Sequence, residues 1–161
     1  MKVDKLMITD VRTCRAHDQA SVAANLMWEG DCGAVPVVDD ASRVVGMVTD
    51  RDLCMASYMQ GKPLHDIRVG HAMSKQVWSC QPQDEVSIAE QIMREHRVRR
   101  LPVADEEGQL RGILSLSDLS REAMKEARNK PKKVEVSYAD VAETLGDIIV
   151  PNAMTRTERA S

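Results

Sequence analysis

Apolar residues along this chain alternate between a helical and a strand rhythm, in the same order twice. Val22, Ala23, Leu26 and Met27 fall at i, i+1, i+4 and i+5, which puts them on one helical face, and Ile88, Ala89, Ile92 and Met93 repeat that spacing. Before each helical stretch lies a short extended segment, Val11 to Cys14 or Val77 to Cys80, with Asp18 or Asp84 as the expected helix N-cap. After it come two β-rich runs around a turn. Val35 to Val38 and Val44 to Val48 flank Asp39-Asp40-Ala41-Ser42, and Leu101 to Ala104 and Leu110 to Leu114 flank Asp105-Glu106-Glu107-Gly108. A second helix is predicted to start at Thr49 and at Ser115. The two copies align without a gap: Met7 meets Met73, Cys14 meets Cys80, Pro36 meets Pro102, Gly46 meets Gly112 and Asp52 meets Asp118, each 66 positions apart.

The fold class that follows is α+β, built from two β-α-β-β-α units. Two copies are too few for a solenoid, so the units are expected to pack about a pseudo-twofold axis. The predicted boundaries are 7–60 and 73–125 for the units, with Gln60 to Gly70 as connector, and 129–161 for a C-terminal linker, short helix and tail. In that last segment Ser137 to Val150 is expected to be helical, with Ser137 as cap and Val141, Leu145 and Ile148 on one face. An amphipathic helix this short needs a surface to lie on, in this chain, in a dimer mate or in another partner. Between the repeats and this helix, Arg121 to Lys133 carries six Lys or Arg against Glu122 and Glu126 and is read as a solvated helix end that Pro131 terminates.

Composition narrows the function classes. With 43% hydrophobic and 29% charged residues the chain has ordinary globular usage. Its 22 Lys and Arg against 25 Asp and Glu leave a formal charge of −3, so no whole-molecule basic field draws it to nucleic acid. With no Phe, two Trp and two Tyr it lacks the usual base-stacking platform, and Trp28 and Trp78 are read as partly buried packing. No apolar run approaches the roughly 18 residues of a membrane span. The start, Met1-Lys2-Val3-Asp4-Lys5, lacks a signal-peptide core, so a cytoplasmic protein without membrane contact is expected. Cys14, Cys32, Cys54 and Cys80 form no C-x-x-C pair and are read as buried free thiols, and no spacing supports zinc binding with His17, His65, His71 or His96. There is no G-x-S-x-G, P-loop or H-E-x-x-H, so an enzyme is not expected.

The runs Val35-Pro36-Val37-Val38-Asp39 and Gly46-Met47-Val48-Thr49-Asp50-Arg51-Asp52-Leu53 recur as Leu101-Pro102-Val103-Ala104-Asp105 and Gly112-Ile113-Leu114-Ser115-Leu116-Ser117-Asp118-Leu119. This pattern resembles the cystathionine-beta-synthase (CBS) domain, and two in tandem resemble a Bateman module, over Met7 to Lys125. The resemblance implies regulatory binding of an adenosine-containing ligand, such as AMP, ADP, ATP or S-adenosylmethionine, in clefts between the paired units. It leaves Mg²⁺ open and implies a homodimer. Thr49 and Asp52, and Ser115 and Asp118, fall on the family's ligand-contacting Thr/Ser and Asp. Val35 and the segment Arg99, Arg100 and Leu101 fall on the strand that lines its base pocket.

The chemistry suits that role. An ionised Asp52 or Asp118 accepts hydrogen bonds from ribose hydroxyls, Thr49 or Ser115 donates to phosphate, and Arg51, Arg99 and Arg100 supply positive charge, aided by His96 and Arg97. Asp50-Arg51 becomes Leu116-Ser117 and Gly33-Ala34 becomes Arg99-Arg100, so unequal sites are expected. The competing reading is structural: Thr49-x-x-Asp52 and Ser115-x-x-Asp118 have the form of a helix capping box. Two functions therefore stand side by side. One is a stand-alone metabolite or energy sensor that reports to an unknown protein effector; the other is an interaction scaffold with vestigial nucleotide sites, acting through its C-terminal helix.

Overall fold

The structure, a computed structural model, describes residues 1–129, 131 and 133–149. Lys130 and Lys132 of the basic stretch, Val150 at the predicted helix end, and the tail after it lie outside the described residues. After a 3-10 turn at Val3–Lys5, the elements are α1 (Ala20–Glu29), β1 (Ala34–Val38), β2 (Val44–Thr49), α2 (Asp50–Gln60), a second 3-10 turn (Leu64–Asp66), α3 (Val69–Ala72), α4 (Val86–His96), β3 (Arg100–Ala104), β4 (Leu110–Ser115), α5 (Leu116–Asn129) and α6 (Tyr138–Ile149). Strands pair as β1 with β2 and β3 with β4, so the α+β reading holds, as does the C-terminal helix.

The chain forms two compact units that cut across the repeat. The first comprises Thr9–Val77 and Ala104–Gly112; the second comprises Met1–Ile8, Trp78–Val103 and the chain from Ile113 onward.

In the first unit the β1–β2 hairpin is antiparallel, with Val35 opposite Val48 and Val37 opposite Gly46. The segment leading up to Cys14 contributes a single parallel bridge, Cys14 to Val37, in which Cys14 donates to the Pro36 carbonyl and accepts from Val38. Gly46 has a steric reason. A Cβ there would lie 2.6 Å from Met73 Sδ and 3.0 Å from the Ser74 carbonyl, which pairs with Met47 across an antiparallel bridge. Ala20, Ala23 and Met27 of α1 meet Val35, Val37, Val48, Leu53 and Ala56 in one core. The connector joins this core: Ile67 and Val69 are buried in it, and Ala20 donates to the Ile67 carbonyl at 2.8 Å.

The second unit repeats the plan. Cys80 bridges Val103, and Val86, Ala89 and Met93 of α4 pack with Leu101, Val103, Leu114 and Leu119. Its N-terminal strap is held by Val3 donating to Asp84 and by the mutual bonds of Ile8 and Ile113, each 2.9 Å. Helix α6 packs on α4 and α5, with Val141 and Ile148 against the core.

Several expectations need correction. Asp18 and Asp84 are not N-caps: α1 and α4 begin after Gln19 and Glu85, which make no side-chain cap. Each aspartate instead turns back to its own i−3 amide, Arg15 or Gln81, at 2.7 Å, closing the turn before the helix. Val22 and Ile88, expected on the buried face, are about two-fifths exposed; α1 and α4 bury small and flexible residues, Ala23 and Met27, Ala89 and Met93. Trp28 is 86% exposed rather than partly buried, whereas Trp78 stacks on His96 with ring centroids 3.4 Å apart. Cys14 and Cys80 are buried, but Cys32 and Cys54 are exposed. Among the described residues no helix is long and apolar enough to cross a membrane, and no cluster of ligating side chains is arranged to hold a metal.

Candidate functional site

Both T/S-x-x-D motifs sit where a strand turns into a helix, and both are complete capping boxes. Thr49 caps α2: Asp52 N–H donates to Thr49 Oγ1 at 3.1 Å, and Asp52 Oδ2 accepts from Thr49 N at 2.9 Å and from its hydroxyl at 2.7 Å. Ser115 and Asp118 do the same at α5, at 3.3, 2.8 and 2.5 Å. Ser137 and Asp140 form an identical box at α6, outside the repeat, at 3.2, 2.9 and 2.7 Å. Capping alone therefore accounts for this local geometry wherever the motif occurs. What surrounds each box is what distinguishes a candidate site.

The two copies differ at the second carboxylate oxygen. Asp118 is 2% exposed, and its Oδ1 accepts from the Arg121 guanidinium, so both of its oxygens are committed. Asp52 is half-buried, and its Oδ1 has no partner among the described residues; Met55 stands where the second copy has Arg121. Asp52 is thus the aspartate free to take a further donor. Arg51, its neighbour, is exposed, and the Asp50 amide donates to the Gly33 carbonyl at 3.3 Å, fastening α2 to the segment before β1.

In the second unit a cavity of about 220 Å³ opens beside the α5 cap, lined by Arg99, Arg100, Ser115, Leu116, Ser117, Ser120 and Leu145. Arg99 and Arg100 make no ion pair among the described residues, so the lining combines two unpaired arginines, three serines and the positive end of a 14-residue helix. The Leu116 amide donates to the Arg99 carbonyl at 3.0 Å, which fixes the arginine pair against α5. This arrangement suits an anion with an apolar end.

The structure gathers Arg99, Arg100 and Ser115 around this cavity, with Asp118 buried behind Ser115 and not lining it. Thr49 and Asp52 are joined, and Arg51 stands beside them. Val35 and Leu101 are fully buried in the two hydrophobic cores, so only their backbone is placed to meet a ligand. Sequence reasoning overlooked Arg121 and Leu145. The repeat alignment carried the signal for Arg121, because an arginine opposite Met55 breaks the pattern. Leu145 lies outside the repeat, and no signal linked it to the cavity.

Comparison with known proteins supports the duplicated reading. The CBS domain profile matches residues 3–58 and 69–125. CBS domain-containing protein YhcV of Bacillus subtilis is 32% identical over 139 residues, 86% of this chain and 97% of that protein. A crystal structure of CBSX2 in complex with AMP superposes with a TM-score of 0.69 at 26% identity, covering 79% of this chain and 98% of that one. The CBS domain pair of MJ0100, solved with 5′-methylthioadenosine and S-adenosyl-L-methionine, shares the fold at a TM-score of 0.68 and 21% identity, covering 75% and 94%.

Proposed function

This chain belongs to the CBS domain family as a tandem pair, and on that premise we propose that it is a non-catalytic, stand-alone regulatory module that binds an adenine nucleotide or S-adenosylmethionine and reports occupancy to a protein effector. The observation that carries the reading is the cavity beside Ser115, lined by Arg99, Arg100 and serines at a helix N-terminus, where neither arginine has a carboxylate partner among the described residues. The first copy offers a ribose-type acceptor of its own, Asp52, beside Thr49 and Arg51. The AMP complex of CBSX2 makes a nucleoside monophosphate the first ligand to try. The scaffold alternative gains no support from α6, whose Val141 and Ile148 are already spent inside the second unit.

The test is a thermal-shift panel of AMP, ADP, ATP and S-adenosylmethionine on the full chain, with Asp52→Ala and Arg100→Ala beside wild type. A ligand at about 100 times its Kd adds about 2.7 kcal/mol, which for a chain of this size raises Tm by several degrees. One ligand is expected to stabilise wild type, with the shift reduced in at least one variant. No shift across the panel overturns the reading. Sedimentation of the same samples addresses pairing: Met55, Tyr58 and Met59 of α2 expose apolar surface suited to a homodimer in the cytoplasm, and a single-chain mass removes that part.

A further inference from the structure

The pocket of the second unit has one wall that the duplicated core does not supply. Arg99, Arg100, Ser115, Leu116, Ser117 and Ser120 have repeat counterparts in Gly33, Ala34, Thr49, Asp50, Arg51 and Cys54; Leu145 has none. It comes from α6, and its neighbours on that helix hold it in place. Val141 and Ile148, one turn away on either side, pack on the core of the second unit. Thr144 is fully buried and accepts from Arg94 of α4 at 3.2 Å, and the same arginine lies 3.9 Å from Asp147. Leu145 itself is 39% exposed, so it is anchored by the helix rather than packed into the core.

We propose that Leu145 is a specificity-determining residue of this pocket and that ligand occupancy there is linked to the docking of α6. The inference rests on reading this pocket as a nucleotide site. Arg99, Arg100 and the serine hydroxyls meet the anionic end of the ligand, while Leu116 and Leu145 offer apolar surface to the rest of it. A ligand that touches Leu145 only when α6 is docked binds the docked state better, and so must shift α6 toward it. The first copy, with no such helix in its repeat, selects its ligand without this wall.

The experiment uses the full chain carrying Asp52→Ala, which removes the first site, with AMP as probe and amide hydrogen exchange as readout. AMP is expected to slow exchange at residues 115–120 and across Tyr138–Ile149 together, and adding Leu145→Ala is expected to weaken AMP binding by about fivefold. Protection of residues 115–120 without α6, together with unchanged affinity in Leu145→Ala, overturns the proposal while leaving the nucleotide reading intact. If AMP protects neither segment, the nucleotide reading of this pocket fails, and a ligand-free measurement decides the place of Leu145. Ser120→Cys puts a thiol in the pocket wall, and its alkylation by iodoacetamide is followed on its own peptide, apart from the exposed Cys32 and Cys54. Leu145→Ala is expected to speed that alkylation and Leu145→Trp to slow it; equal rates overturn the proposal.

Discussion

Asp52 and Asp118 occupy equivalent positions and make the same cap, yet only Asp52 keeps an oxygen for a ligand, because position 121 is Arg and position 55 is Met. Equivalence by repeat predicts backbone geometry better than chemistry, since one neighbouring side chain decides what a carboxylate has left to offer. The cysteines make the same point in reverse. Cys14 and Cys80 are a repeat pair, and burial pushes both thiols up to about 12, with Asp18 and Asp84 adding to the effect. Both therefore stay protonated and unreactive while the fold is intact. Iodoacetamide at pH 8 is expected to modify Cys32 and Cys54 in the native protein and all four thiols in urea, as counted by intact mass. Native modification of Cys14 or Cys80 would show that their cores open readily. The capping boxes were legible from spacing, and so were the buried Cys14 and Cys80. The exposure of Cys32 and Cys54 was not, because a small apolar residue reads the same at a core or a surface position.

At the scale of elements, the strands and the helices after them were legible because alternation, turn residues and caps coincide there. The starts of α1 and α4 were not, since an aspartate that closes a turn looks in sequence like one that caps a helix. Helix α6 was legible as amphipathic, but its docking was not, and that docking holds a built-in conflict. Glu90 of α4 is 5% exposed, and its Oε1 has no hydrogen-bond partner among the described residues. Burial raises its pKa, as do Asp140 and Glu143 of α6, against the opposing charge of Arg94 on its own helix. A carboxyl whose pKa is raised on docking favours the docked state while protonated. That stability is fully present below the usual glutamate value of 4.5 and is lost as pH rises through the docked value. Asp140 has the opposite sign: hydrogen bonds from Ser137 lower its pKa, so its contribution is lost only in stronger acid, below 3.8. Exchange protection of α6, corrected for intrinsic rate, is therefore expected to fall as pH rises above about 4.5 and through the raised value of Glu90. Glu90→Gln is expected to flatten that fall and to raise protection on its high-pH side by about fivefold, or about 1 kcal/mol. A profile identical in wild type and Glu90→Gln would remove Glu90 from the docking energetics.

At the scale of the whole molecule, the repeat and the compact units disagree, and the disagreement has a folding consequence. The first unit takes the hairpin tip Ala104–Gly112, where Val44 donates to Gly108 and Leu110 donates to Ser42, both at 3.0 Å. The second unit takes Met1–Ile8, whose Val3 is fully buried in its core and whose Ile8 pairs with Ile113. Duplication was visible in the sequence because it preserves residue type at a fixed offset. This exchange of segments was invisible because it depends on contacts between positions that no periodicity relates. A cut at residue 72 therefore separates the chain at its repeat boundary yet leaves each piece without a segment that its unit uses. Residues 1–72 would lack the hairpin tip, and residues 73–161 would lack the strap that fills the Val3 position and satisfies Ile113. Val3 alone is worth roughly 1.5 to 3 kcal/mol of burial, a large share of the 5 to 15 kcal/mol by which a domain is stable. Each piece expressed alone is expected to lose cooperative thermal unfolding by circular dichroism, and co-expression is expected to restore it in a complex of the two. If residues 73–161 alone melt cooperatively at the Tm of the intact chain, the N-terminal strap is dispensable, and the second repeat is a self-sufficient folding unit.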